Sequence, residues 1–260
     1  MNNINIDGIS RFNGGEYGEV NIDGIGTCNG DLRCDELNID GKFKVKGKIN
    51  AKNIDVDGMA TFEGEIKCEE LCVDGVAKII DGLYFEKAKI NGSLKIVGNA
   101  KGDVLDNDGM VRVDGSISCI NIKVNGGLII SNDLNVDDLN LEGFIKINGM
   151  LNGDNIIIDS IVGSYIKEIG GANVTIGGGK ETDISIFSKI KDSILSSFKV
   201  YNGFETESIE ADNIKVNNVK ANFITGRDIE VGPNCKIEKL QYSNHLEVHP
   251  SSIVDEIIKL

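Results

Sequence analysis

The sequence predicts an all-β protein, a parallel β-helix built from coils of about seventeen residues. Two observations carry this expectation. The glycines Gly24, Gly41, Gly58, Gly75, Gly92, Gly109, Gly126 and Gly143 stand seventeen residues apart. Between them, apolar side chains alternate with polar ones, the period-two pattern of a half-buried strand. A helical solenoid is the competing reading, and it fails on glycine. The chain has 32 glycines, and those at fixed places in the repeat leave no run of the roughly 12 residues that a typical helix needs.

The unit NIDGKFKVKGKINAKNI, Asn38 to Ile54, shows how one coil is made. Ile39 follows Leu37 by two as one alternating pair, Phe43 and Val45 form a second, and Ile49 and Ala51 a third. Three pairs per unit predict a prism with three faces. The inward columns repeat down the chain: Ile22, Ile39, Val56, Val73, Ile90, then Asn107 as an exception, then Val124. Cys28, Val45, Phe62, Ile79, Ile96 and Val113 form another, and Leu37, Ile54, Leu71, Ala88 and Leu105 a third. Val, Ile and Phe suit a pleated surface, and Asp-Gly, Asn-Gly and Lys-Gly suit its corners.

In chain order, residues 5–160 are expected to form the main β-helix, with an imperfect first coil from Asn5 to Val20 and eight regular units from Asn21 to Ile156. Residues 161–204 break the register and predict an irregular insertion. Within it Ile186, Ile190, Ile194 and Phe198 recur every four residues, a signal for a short helix. Alternation returns over 205–260, where Ile214, Val231 and Val248 are spaced by seventeen, which predicts a second short run of coils and a C-terminal cap.

Composition excludes several functions. The net charge of −14 and the absence of a basic run argue against nucleic acid as a partner. The opening MNNINIDGIS has neither the charged nor the apolar region of a secretion signal, and no apolar run approaches the roughly 20 residues of a membrane helix, so a cytoplasmic location is expected. Cys34, Cys68 and Cys119 share an inward column and Cys28 occupies another, so they read as small core residues. Cys34 and Cys68 lie two coils apart, roughly 9.6 Å, too far to be bridged.

Catalytic and metal chemistry find few residues. His245 and His249 flank Glu247 on the outward side of an expected strand, and exposed polar residues account for them better than a metal site does. GGGK at Gly177 to Lys180 lacks the glycine and the hydroxyl residue of a phosphate loop, because Val174 and Glu181 stand at those places. No catalytic residue, cofactor site or metal site is therefore expected. Asp7, Asp23, Asp40, Asp57 and Asp74, each just before a corner glycine, form a polar column. It reads as turn chemistry, with a row of divalent-cation sites as the alternative.

Coils such as VDGMATFEGEIKCEEL, Val56 to Leu71, resemble those of the bactofilins, polymer-forming cytoskeletal proteins. The segment GRDIEVGPNCKIEKLQYS, Gly226 to Ser243, resembles the tail of longer members of that group. The resemblance covers Asn5 to Asn173 and about Glu205 to Val248. It implies a right-handed triangular β-helix that assembles end to end without nucleotide and serves as a non-enzymatic cytoplasmic scaffold. The implied partners are further copies of the chain, with other scaffold or cell-envelope proteins beside them. Because MNNINIDGIS enters the repeat at once, the membrane-targeting stretch of many bactofilins is not expected here.

Two other functions stay open at this level: a binding module whose segment 161–204 docks a partner, and a β-helix enzyme acting on acyl-CoA or polysaccharide. The second lacks both a six-residue apolar period and a charged catalytic cluster. For self-assembly, the terminal coil of a solenoid leaves backbone groups unpaired. Ile4, Ile6 and Phe12 on the first coil are the candidate assembly edge, in preference to the C-terminal end with its Pro250, Asp255, Glu256 and Lys259.

Overall fold

A computed structural model describes residues 2–160, 163–177 and 203–260. Every regular element among them is a β-strand, and the strands pair in parallel, each coil on the next, as a β-solenoid. The chain divides into two compact units, Met1–Val136 and Asp137–Leu260.

In the first unit the columns read from the sequence are the observed register. Leu37 pairs with Ile54, Ile54 with Leu71, Leu71 with Ala88, and Ala88 with Leu105, always seventeen residues on. Cys28, Val45, Phe62 and Ile79 are joined in the same way. Each regular coil has a four- or five-residue strand such as Lys42–Val45 and an eight-residue strand such as Ile49–Val56. Along Ile49–Val56, Ile49, Ala51, Ile54 and Val56 are buried, whereas Lys52 and Asn53 between the two pairs are not. Two successive outward residues reset the pleat, so the long strand turns a corner and supplies two faces while the short one supplies the third.

Close stacking at the corners explains the glycine period. At Gly58 a Cβ would lie 2.0 Å from the carbonyl oxygen of Gly41 in the preceding coil. Asp57 and Gly58 both donate their backbone N–H to the Ile39 carbonyl, at 3.0 and 2.8 Å. The corner amides are thus satisfied by backbone, and only a residue without Cβ lets the coils approach this closely.

The buried columns are almost wholly apolar, and the exception expected at Asn107 is real. Asn107 is fully buried; its Nδ2 donates to the Gly127 carbonyl at 2.9 Å, while its Oδ1 has no partner. The cysteines Cys28, Cys34, Cys68, Cys119 and Cys235 are buried and unbridged. Burial pushes the thiols of Cys34 and Cys68 up to about 12, so they stay protonated and behave as small apolar residues.

The second unit corrects two expectations. Of the segment 161–204 expected to be irregular, Tyr165–Ile176 is a strand, paired with the strand Leu134–Ser160 on one side and with Phe204–Val216 on the other. Ile166, Ile169, Val174 and Ile176 point inward along it. The seventeen-residue count misses this coil because Ile147 pairs with Ile166, nineteen on, across a register shift, and Ile158 with Ile176, eighteen on. The next step, Ile176 to Val216, is forty residues, so the extra chain enters within that coil. The helix expected over Ser185–Phe198 lies outside the described residues.

The spacing of Ile214 and Val231 is the second correction. Ile214 pairs with Ile229 and Val216 with Val231, a step of fifteen. The two thirteen-residue strands Phe204–Val216 and Val219–Val231 are joined by only Asn217 and Asn218, and Asn218 takes a positive φ of 54° to make the tight turn. Val231 and Val248 do pair at seventeen, as do Ile229 and Leu246.

Candidate assembly edges and outward ladders

At the N-terminal end, the strands Ile4–Ile6 and Ile9–Glu16 are each paired on one side only among the described residues, with Glu19–Ile22 and Ile25–Ile39. Ile6 is buried against Ile22 and supports the coil, so it presents little surface. Ile4 and Phe12 are half-buried. The Phe12 ring stacks on Phe43, two coils away, at 6.0 Å between centroids and meets Tyr17 edge-on at 5.7 Å. Gly26 in the intervening coil makes this contact possible, since a Cβ there would lie 2.9 Å from the Phe43 ring. Ile9, which the sequence reading passed over, is 83% exposed.

The C-terminal end carries a second open edge. Among the described residues, the strand Ile253–Lys259 pairs only with the strand Lys236–Val248. Ile253, Ile257 and Leu260 are 59%, 49% and 69% exposed, whereas Val254 and Ile258 are half-buried. Two of the three charges at this end are engaged sideways: Glu256 pairs with Lys239 at 3.3 Å, and the Lys259 ammonium lies over the Tyr242 ring. The apolar residues at 253, 257 and 260 were the available signal. Both ends therefore combine unpaired strand edges with apolar side chains, the arrangement that invites strand addition.

Outward side chains stack in ladders, because each coil repeats the last. Asn21 donates to Asn5 and Asn38 to Asn21, each at 2.9 Å, and Lys52 pairs with Asp35 at 2.6 Å. Asp7, Asp23, Asp40 and Asp57 are exposed and lie in one row, without ion pairs among the described residues. Contact with the Asp40 carboxyl, then burial and repulsion from Asp40 and Asp7, raises the Asp23 carboxyl above the usual carboxylate range. The corner amides go to backbone carbonyls of the preceding coil, so this row is not explained by side-chain capping of the turn. Among the described residues, no group of three His, Cys, Asp or Glu side chains is arranged to hold a metal ion. His245 lies opposite Asp228, and His249 turns away to Ser251 Oγ at 2.8 Å. No helix among the described residues is long and apolar enough to cross a membrane.

Fold and edges together define a class: a parallel β-solenoid repeat protein whose first and last strands, among the described residues, are each paired on one side only. Within that class, residues 1–82 match the family described as Bactofilin, polymer-forming cytoskeletal. No curated protein and no solved structure gives a match.

Proposed function

We propose that this protein is a non-enzymatic cytoskeletal scaffold that polymerises end to end without nucleotide, in the cytoplasm. The observation that carries the reading is the bactofilin match over residues 1–82 on a solenoid whose terminal strands have an unpaired edge. Internal coils are covered by their neighbours on both sides, so indefinite growth has to use the terminal ones. Ile4, Ile6 and Phe12 form the N-terminal contact, with Ile6 holding the coil in place beneath Ile4. Ile253, Ile257 and Leu260 form the C-terminal one. Each junction would pair backbone groups that otherwise face water and would cover apolar side chains. Growth then draws on strand pairing and apolar burial, and neither needs a nucleotide.

Sedimentation and negative-stain imaging of the purified chain in buffer free of nucleotide and metal test this reading. Filaments or long assemblies at micromolar concentration are expected, with length unaffected by added nucleotide. A species that remains monomeric, or one that assembles only with nucleotide, would overturn it.

A further inference from the structure

The coil 99–115, which holds the strands Ala100–Asn107 and Met110–Asp114, is filled differently from the coils on either side of it. Its long strand places Ala100 between Leu83 and Ile117, and Asn107 between Ile90 and Val124. Its short strand places Val111 between Leu94 and Leu128, and Val113 between Ile96 and Ile130. Each of these inward side chains is smaller than both of its column neighbours. Gly102 follows the same rule between Phe85 and Cys119, and there the Phe85 ring takes the space, since a Cβ on Gly102 would lie 2.3 Å from it. Leu105 alone, between Ala88 and Ile122, keeps the usual bulk.

Polar satisfaction fails in the same coil. Among the described residues, the buried side-chain atoms without a hydrogen-bond partner are Asp106 Oδ1 and Asn107 Oδ1, successive residues of its long strand. A buried polar atom left unpaired costs its desolvation with nothing to offset it. Backbone pairing loosens as well. The Gly126 N–H reaches the Asn107 carbonyl at 3.2 Å, where the same corner bond at Gly58 and Gly75 is 2.8 Å, and the Gly98 N–H at the entry reaches the Asp114 carbonyl at 3.3 Å.

In a solenoid each coil touches only the coils on either side, so stability is a sum of coil terms and of interfaces between neighbours. A poorly filled coil weakens two interfaces at once, and local opening concentrates where its free energy is lowest. We propose that the coil 99–115 is a built-in breaking point, which opens as a unit ahead of the other interior coils of the first unit while the coils before it stay folded. The part left standing includes residues 1–82, the stretch matched by the family. Opening uncovers the strands Leu83–Ile90 and Ser93–Val97 on one side and Ile117–Val124 and Gly127–Ile130 on the other. Closing pairs them again in the same register. The end contacts of the proposed filament lie on other coils, so the breaking point does not depend on them.

Native-state hydrogen exchange of the full-length chain tests it. The amides of Ala100–Asn107 and Met110–Asp114 should exchange together, at least about tenfold faster than those of Leu83–Ile90 and Ile117–Val124. A lysine-specific protease gives a second readout, because a strand lysine is cut only from the open form, at a rate set by the population of that form. Cleavage after Lys101 should precede cleavage after Lys67, Lys87, Lys89 and Lys123, which lie in neighbouring long strands. Asn107→Val and Ala100→Leu fill the coil. Asn107→Val should slow exchange over the whole coil about fivefold and delay the cut after Lys101 to match, and it keeps the test intact should Ala100→Leu overpack the column. Equal protection across the three coils, fast exchange confined to the amides beside Asn107, or an earlier cut at another of these lysines would overturn the proposal. So would an Asn107→Val chain cut after Lys101 as fast as wild type. Both readouts apply to assembled and unassembled chain alike, so a failure of end-to-end growth, seen in images of the filaments, is told apart from a failure of the breaking point.

Discussion

Replacing Ile96 by aspartate tests the packing on which the rest depends. Ile96 is 2% exposed, and its column neighbours are Ile79 and Val113, so no group of opposite charge faces it. At pH 7 the new carboxyl can fold neutral only by taking up a proton against its ordinary value near 3.9, which costs about 1.36 kcal/mol per unit, or about 4 kcal/mol. Burying the neutral acid adds about 1–3 kcal/mol, and losing the isoleucine side chain removes about 2 kcal/mol of apolar burial. The sum is about 7–9 kcal/mol, comparable with the whole stability of a typical domain. The control is Lys95→Asp, one residue earlier and outward. It forfeits a partly exposed ion pair with Asp114 at 3.0 Å, worth at most about 1 kcal/mol. Denaturant melts followed by circular dichroism should show the first unit lost or severely destabilised in Ile96→Asp and nearly unchanged in Lys95→Asp. Because the folded-state carboxyl is raised, its penalty should shrink as pH falls towards 4. Equal effects of the two substitutions would refute the column assignment.

Three further outcomes follow from the same packing. Gly58→Ala, whose Cβ would collide with the Gly41 carbonyl, should cost about 1–3 kcal/mol, whereas Gly8→Ala, with nothing within 4 Å, should be close to neutral in the same melts. Asn107→Val should raise stability by about 1 kcal/mol, since it removes the unpartnered Oδ1 from a column flanked by Ile90 and Val124; a loss would mean that the bond to the Gly127 carbonyl outweighs it. Asp23→Asn should raise the melting temperature at pH 7 and lose that advantage at pH 3. The raised carboxyl of Asp23 favours the folded state fully below the unfolded value, and that contribution is lost as pH rises through the folded one. A gain that does not change with pH would show that the aspartate row is not under mutual repulsion.

Most of the fold was legible because inward positions of the regular coils admit little besides Ile, Val, Leu, Ala, Phe and Cys, so Ile39, Val56, Val73 and Ile90 announce one register over many coils. Legibility failed where coil length changed. The strand Tyr165–Ile176 has the same inward pattern as its neighbours, but the steps of nineteen and eighteen hide it from a fixed count. The step of fifteen between Val216 and Val231 let Ile214 and Val231 look like column partners when a tight turn at Asn217 and Asn218 had shortened the coil. The edges were half legible. Phe12 and Ile4 were chosen from their place in the first coil, but the engagement of Phe12 with Phe43 depends on the gap at Gly26, a contact across two coils that no local pattern records. At the other end Asp255, Glu256 and Lys259 drew attention from Ile253, Ile257 and Leu260, because composition does not say which side chains point along the solenoid's open end. The aspartate row was visible, but that its corner amides are already satisfied by backbone required coordinates.

End-to-end growth is tested most directly by imaging wild type beside Phe12→Asp and Ile257→Lys in nucleotide-free buffer, with far-UV circular dichroism of each. Wild type should form long filaments, and each variant should form short assemblies or none while keeping the wild-type β spectrum, because most coils lie away from the altered edge. A monomeric wild type, or filaments of full length in both variants, would contradict the account.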